Sequence, residues 1–263
     1  MNRLTRKLDK SRNDGHPLFI VSGLGGHIFP FQLIAKQIST QWNAYGLLYP
    51  GFVKDEAKCQ TMEALAQRMI QDIRKVQTTG PYFLAGYSMG GFVCIEIAKI
   101  LNILGEKASI IIIDVILIEH APLKPFIARL PILIKWKSIG WYKTKILKEK
   151  VFPQIPDDQK QNDLEKSDLP VSESLKNVTE DGRRALRSYK LSKTDISAAL
   201  LKSQDGYWYD TLRIWPRDYG WNNYCDVKSV AKTPGNHINL IKSPNIQSFV
   251  INIEKLLDGL KKD

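Results

Sequence analysis

Apolar and polar positions along the chain repeat with two periods. Short apolar runs ending at glycine or serine are separated by stretches with an apolar residue every third or fourth position. "PLFIVSG" (17–23) predicts a buried strand, and "FQLIAKQIS" (31–39) has helical spacing. "AYGLLYPG" (44–51) predicts a second strand. In "TMEALAQRMIQDIRKV" (61–76), Met62, Leu65, Met69, Ile73 and Val76 form one helical stripe behind Thr61 as N-cap. "YFLAGYS" (82–88) predicts a strand, "MGGFVCIEIAKILNILG" (89–105) a helix stopped by Gly105, and "ASIIIID" (108–114) the next strand. Two further strands, "ISAALLKSQD" (196–205) and "VKSVA" (227–231), precede a final amphipathic helix at 245–260. Strands alternating with helices form right-handed βαβ units, so the expectation is an α/β protein with a mostly parallel sheet and helices on both faces. Residues 115–182 break the alternation, and residues 1–15 are basic and polar. The organisation expected is a flexible leader or linker over 1–15 and one domain over 16–263, interrupted by an insertion at about 115–182.

Composition adds constraints. The chain has 263 residues, 43% hydrophobic and 25% charged, which fits one large globular domain. Cys59, Cys94 and Cys225 form no CxxC pair and are odd in number, which argues against a disulfide framework or zinc site and favours a reducing, cytoplasmic setting. Cys94 falls in an apolar helix and reads as a buried, inert thiol. The N-terminal stretch has no apolar core of the signal-peptide type, and the longest apolar run, 108–118, is too short to span a bilayer.

The chemistry begins at "GYSMGG" (86–91). With glycine and serine each near 7% of an average chain, a bare GxSxG arises by chance in about one chain in ten of this length. Ser88 lies where a predicted strand meets a predicted helix, the position of a nucleophile elbow. There a sharp turn lifts the hydroxyl above the sheet edge, and the helix N-terminus offers free N–H groups to a developing oxyanion. A serine hydroxyl needs a base. Of His16, His27, His120 and His237, only the last two follow Ser88, and His237 lies in "TPGNHINLIKSP" (233–244) after the last predicted strand. The acid that orients it could be Asp114 or Asp205, each at the carboxyl end of a predicted strand. Asp114 closes a run of four isoleucines, where an unpartnered carboxylate would be costly, and is favoured on that ground. "SGLGGH" (22–27) follows the first strand, and its Leu24 amide pairs with that of Met89 as the expected oxyanion donors. His27 reads as a loop or pocket-wall residue.

Together, "PLFIVSGLGGHIFPFQLIAKQI", "AYGLLYPGF", "PYFLAGYSMGGFVCIEIAKIL", "IIIIDV" and "GNHINLIKSP" resemble the thioesterase domains that end nonribosomal peptide and polyketide synthases, with fatty acid synthase thioesterase more distant. The resemblance covers roughly 16–114 and 183–258. It implies an α/β-hydrolase fold, a helical lid in the insertion, Asp114 as the acid, and a serine thioesterase acting on an acyl or peptidyl chain held on a carrier protein's phosphopantetheine arm or on coenzyme A. No metal or redox cofactor is expected. One departure is Ser22, where many members have histidine before the glycine-rich loop. A carboxylic-ester hydrolase or lipase would use the same triad, and a non-catalytic binding module is the reading from another class.

Charge changes the picture in one place. The net charge is +11, and between Lys124 and Lys150 eight basic residues face one acid, Glu149, with tryptophans interleaved. Nucleic-acid binding is not expected, since no nucleic-acid-binding motif accompanies the charge. A solvated lid face or weak membrane-surface contact would fit. The preferred expectation is docking of an acidic carrier protein, with Lys143, Lys145 and Lys148 at its centre.

Overall fold

The isoleucine run at 110–113 divides by strand alternation between two cores: Ile110 and Ile112 join one buried cluster, Ile111 and Ile113 another. A strand buried on both faces belongs in the middle of a covered parallel sheet, and the structure places it there. A computed structural model describes residues 4–11, 15–52, 58–125, 171–206 and 213–262. Its sheet has seven strands: β1 (Thr5–Lys7), β2 (His16–Val21), β3 (Trp42–Leu47), β4 (Tyr82–Tyr87), β5 (Ala108–Ile113), β6 (Ser197–Ser203) and β7 (Asp226–Thr233). Their order is β1-β3-β2-β4-β5-β6-β7, parallel throughout except that β1 runs antiparallel to β3.

The helices fall on both faces. We number them α1 (Gln32–Gln37), α2 (Met62–Ile73), α3 (Met89–Ile103), α4 (Val171–Ser188) and α5 (Ile246–Leu260). Residues of α1 and α5 join the core that holds Ile111 and Ile113, while those of α2, α3 and α4 join the opposite one. The predicted stripe of α2 is buried at Met62, Leu65, Met69 and Ile73, and Thr61 caps the helix by accepting from the Ala64 amide at 3.1 Å. α5 buries Phe249, Val250, Ile253, Leu256, Leu257 and Leu260, each fully buried side chain contributing about 1.5–3 kcal/mol before entropy is set against it. Among the described residues no helix is long and apolar enough to cross a membrane.

The expected leader over 1–15 differs from what is observed. Thr5–Lys7 form the edge strand β1, Leu4 is fully buried, and the Leu4 amide donates to the carboxylate of Asp72 on α2. Three residues with little apolar content produce no periodic signal. Backbone pairing to β3 and one buried carboxylate hold them instead. In the insertion expected at 115–182, α4 is described, whereas 126–170, including Lys143, Lys145 and Lys148, lie outside the described residues.

The topology positions a site. The chain leaves β2 toward α1 on one face of the sheet and leaves β4 toward α3 on the other. Neighbouring strands whose connections diverge leave a crevice at their carboxyl ends. The glycine-rich loop at 22–26 and Ser88 both sit there.

Candidate active site

Ser88 is the joint between β4 and α3, with φ 54° and ψ −125°. A non-glycine residue in that conformation stores of the order of 1–3 kcal/mol of backbone strain. The surroundings enforce it: the Ser88 amide donates to the Ile113 carbonyl at 3.0 Å, and the Ser88 carbonyl accepts from Gly91 at 2.9 Å. The helix can turn this close beneath the sheet because Gly90 has no side chain, since a Cβ there would lie 2.3 Å from the Val21 carbonyl oxygen. Asp114 and Tyr219 are the other non-glycine residues at positive φ among those described.

Asp114 follows β5 directly and its side chain is fully buried, while that of His237 is 18% exposed. Asp114 Oδ2 accepts from His237 Nδ1 at 2.9 Å, and Oδ1 accepts from the Ser203 amide at 2.8 Å. A carboxylate acceptor places the imidazole proton on Nδ1 and leaves the Nε2 lone pair as the basic position. Asp205 lies two residues beyond β6 with its side chain exposed, and its amide donates to the Gly235 carbonyl at 3.0 Å. The acid that meets the histidine ring is Asp114. The other histidines lie elsewhere. His16 neighbours Trp42, and His120 Nε2 is 3.2 Å from the Tyr224 hydroxyl. His27, beside Phe29 in the glycine-rich loop, is held below the ordinary imidazole range by burial.

The loop carrying His237 is held by its own asparagines. Asn236 Oδ1 accepts from the amides of Ile238 and Asn239 at 3.0 and 3.2 Å, and Asn239 Oδ1 accepts from the Asn236 amide at 2.7 Å. Asn245 Nδ2 donates to the Asn239 carbonyl at 3.2 Å, tying the loop to the start of α5. These residues, Ser203 and Tyr87 were not singled out in the sequence. Tyr87 stacks on the His237 ring with centroids 4.8 Å apart, and its hydroxyl donates to the His237 carbonyl. The only sequence signal for it was an aromatic residue at a variable position of GxSxG.

The expected oxyanion residues are neighbours. Gly23 lies against Ser88: a Cβ there would be 2.9 Å from Ser88 Cβ and 3.4 Å from Ser88 Oγ. Leu24 follows it, and Met89 opens α3, where backbone amides have no intrahelical acceptor. α4 covers both, for a point 1.5 Å out from its Gly182 Cα would lie 3.0 Å from Leu24 Cδ1 and 3.2 Å from Met89 Cε. Val178 and Leu175, one and two turns earlier on that helix, lie against Gly51 and Gly25 respectively. Beneath α4 a small cavity is lined by Tyr49, Gly51, Cys59, Leu65, Val178 and Gly182. Cys94 is fully buried, and burial pushes its thiol up, which suits an inert core residue.

Comparison with known proteins agrees with the fold. Residues 16–120 match the family model described as the thioesterase domain. Microperfuranone synthase of Emericella nidulans is 32% identical over 102 residues, 39% of this chain and 11% of that protein. The dimodular nonribosomal peptide synthase of Bacillus subtilis is 32% identical over 142 residues, 54% of this chain and 6% of that protein. The chain thus spans a small fraction of these relatives' length. The crystal structure of the NocB thioesterase domain from the nocardicin cluster superposes with a TM-score of 0.64 at 18% identity, covering 97% of this chain and 99% of that one. Residues 16–120 are thus similar to the thioesterase domain and to segments of nonribosomal peptide and polyketide synthases, and the fold is shared with a solved thioesterase domain over nearly the whole chain.

Proposed function

We propose that the chain is a serine thioesterase that releases an acyl or peptidyl group from a phosphopantetheine or coenzyme A thioester through an acyl-Ser88 intermediate. The observation that carries this reading is the His237–Asp114 contact at 2.9 Å, with the same histidine stacked on the residue next to the strained Ser88. In the first step His237 Nε2 takes the Ser88 proton as Oγ attacks the thioester carbonyl. The amides of Leu24 and Met89 receive the negative charge on the carbonyl oxygen. Collapse breaks the C–S bond, and the leaving thiolate takes the proton from the imidazolium. In the second step water, or a nucleophile within the acyl chain, attacks the ester with His237 again as base, and Ser88 regains its proton. The reaction requires no metal or redox cofactor.

The donor proposed is an acyl or peptidyl carrier protein. The basic segment between Lys124 and Lys150 would steer the acidic partner toward the site, with Lys143, Lys145 and Lys148 as the docking residues. Paired substrates test the reading: the same acyl groups presented as pantetheine thioesters and as oxygen esters. The expected result is kcat/KM at least about tenfold higher for the thioester. Turnover of oxygen esters alone would make the chain a carboxylic-ester hydrolase, and turnover of neither would make it a binding module.

A further inference from the structure

We infer that Tyr87 is a positioning residue for His237, so that the end of one strand sets both the nucleophile and its base. The inference rests on the reading of Ser88 and His237 given above. Tyr87 is the last residue of β4 and directly precedes Ser88. Its ring lies nearly parallel to the imidazole, at 18° with centroids 4.8 Å apart, and its hydroxyl donates to the His237 carbonyl.

The geometry explains why such a residue is needed. The hydrogen bond from Nδ1 to Asp114 fixes one edge of the imidazole. A flat partner against the ring face restricts rotation about the N···O axis and helps keep Nε2 aimed. The hydroxyl contact fixes the backbone of the same residue, so ring and main chain are held from one side chain. Tyr87 is itself braced edge-on by Phe31, with centroids 6.1 Å apart at 75°. Burial, and then the nearby Asp114 charge, push the Tyr87 hydroxyl well above the ordinary phenol range, so it stays a donor throughout the working pH range. A phenol face also favours the imidazolium that forms as Ser88 loses its proton.

The test is a double-mutant cycle read by phosphonylation of Ser88 with a fluorophosphonate. In that reaction the Ser88 O–P bond forms, fluoride leaves and His237 takes the serine proton. Tyr87→Phe keeps the ring and loses the hydroxyl contact, and should slow labelling by about 2- to 10-fold. Tyr87→Leu loses both and should slow it by about 10- to 100-fold. In the His237→Ala background, where only slow residual labelling remains, neither change should slow it further by more than about twofold. If Tyr87→Leu does not fold, the Tyr87→Phe arm carries the cycle alone. Equal losses in both backgrounds would overturn the inference, because Tyr87 would then serve the elbow itself. If His237→Ala labelled at the wild-type rate, the histidine would not be the base, and the reading beneath the inference would fall with it.

Discussion

Asp114 and His237 stand 123 residues apart in the chain and 2.9 Å apart across the carboxyl edge of the sheet. The Ser203 amide holds the other carboxylate oxygen, so the acid is fixed before it meets the histidine. Asp114→Asn keeps the shape but turns an acceptor into a group that can donate, favouring the wrong tautomer and withdrawing charge from the imidazolium. We expect kcat to fall by about 10³- to 10⁴-fold for Asp114→Asn and by less than about threefold for Asp205→Asn. Steady-state kinetics on one thioester substrate decides it, and the reverse order would move the acid to Asp205.

Gly23 leaves no room beside Ser88, since a Cβ there would sit 2.9 Å from the serine Cβ. Gly23→Ala is therefore expected to displace the nucleophile or the oxyanion loop. Activity should drop by about 10- to 100-fold, with a stability loss of about 1–3 kcal/mol. Urea unfolding beside the kinetics separates the two effects. Unchanged turnover would show that the loop can move away without consequence.

Asp72 links the N-terminal strand to α2, accepting from the Leu4 amide and pairing with Lys75 and, at 3.5 Å, Arg68. Burial acts to raise its carboxyl, but the Lys75 ammonium, the Leu4 amide and the Arg68 charge outweigh it and hold the group below the ordinary range. A depressed carboxyl contributes stability that is present above its unfolded value, about 3.9, and lost as pH falls through the lower folded value. Asp72→Asn should cost about 1–3 kcal/mol at pH 7, and the gap from wild type should narrow below about pH 4. Unfolding curves across that range check the sign. A gap that widened on acidification would contradict it.

Much of this arrangement could be read from apolar spacing. The inner strands β2 to β6 coincide with apolar runs, because burial on both faces demands near-continuous hydrophobicity, whereas the edge strand β7 is mostly half-exposed; the α2 stripe is buried at Met62, Leu65, Met69 and Ile73, with Val76 past the helix end. β1 escaped because an edge strand held by backbone pairing and by Asp72 needs no apolar pattern. α4 straddles the end of the expected insertion, which hides it as a distinct element; Leu175 and Gly182 lie against the glycine-rich loop and Val178 against Gly51. At the site, motif and chain order point to Ser88 and His237, while Asp114 is favoured over Asp205 by its place after four isoleucines and by the family resemblance. Tyr87 and Ser203 act through stacking and a backbone amide, and neither leaves a pattern in residue type.

Charge reversal of Lys143, Lys145 and Lys148 to glutamate tests the proposed carrier partner. Carrier-bound substrate should lose kcat/KM by about tenfold or more at low salt, with the loss shrinking as salt rises, while a small free thioester should change by less than about twofold. Equal losses on both substrates would place the damage in the catalytic domain, and no loss would leave the basic segment without a part in docking.

In the proposed reaction Ser88 carries the acyl group. Intact-protein mass spectrometry after rapid quenching with a panel of acyl thioesters, followed by peptide mapping, reads this directly. We expect a mass increase equal to the acyl group, on the peptide containing Ser88, and none in a folded Ser88→Ala variant. An adduct on another residue, or a Ser88→Ala variant that still turns over thioester at half the wild-type rate, would contradict it.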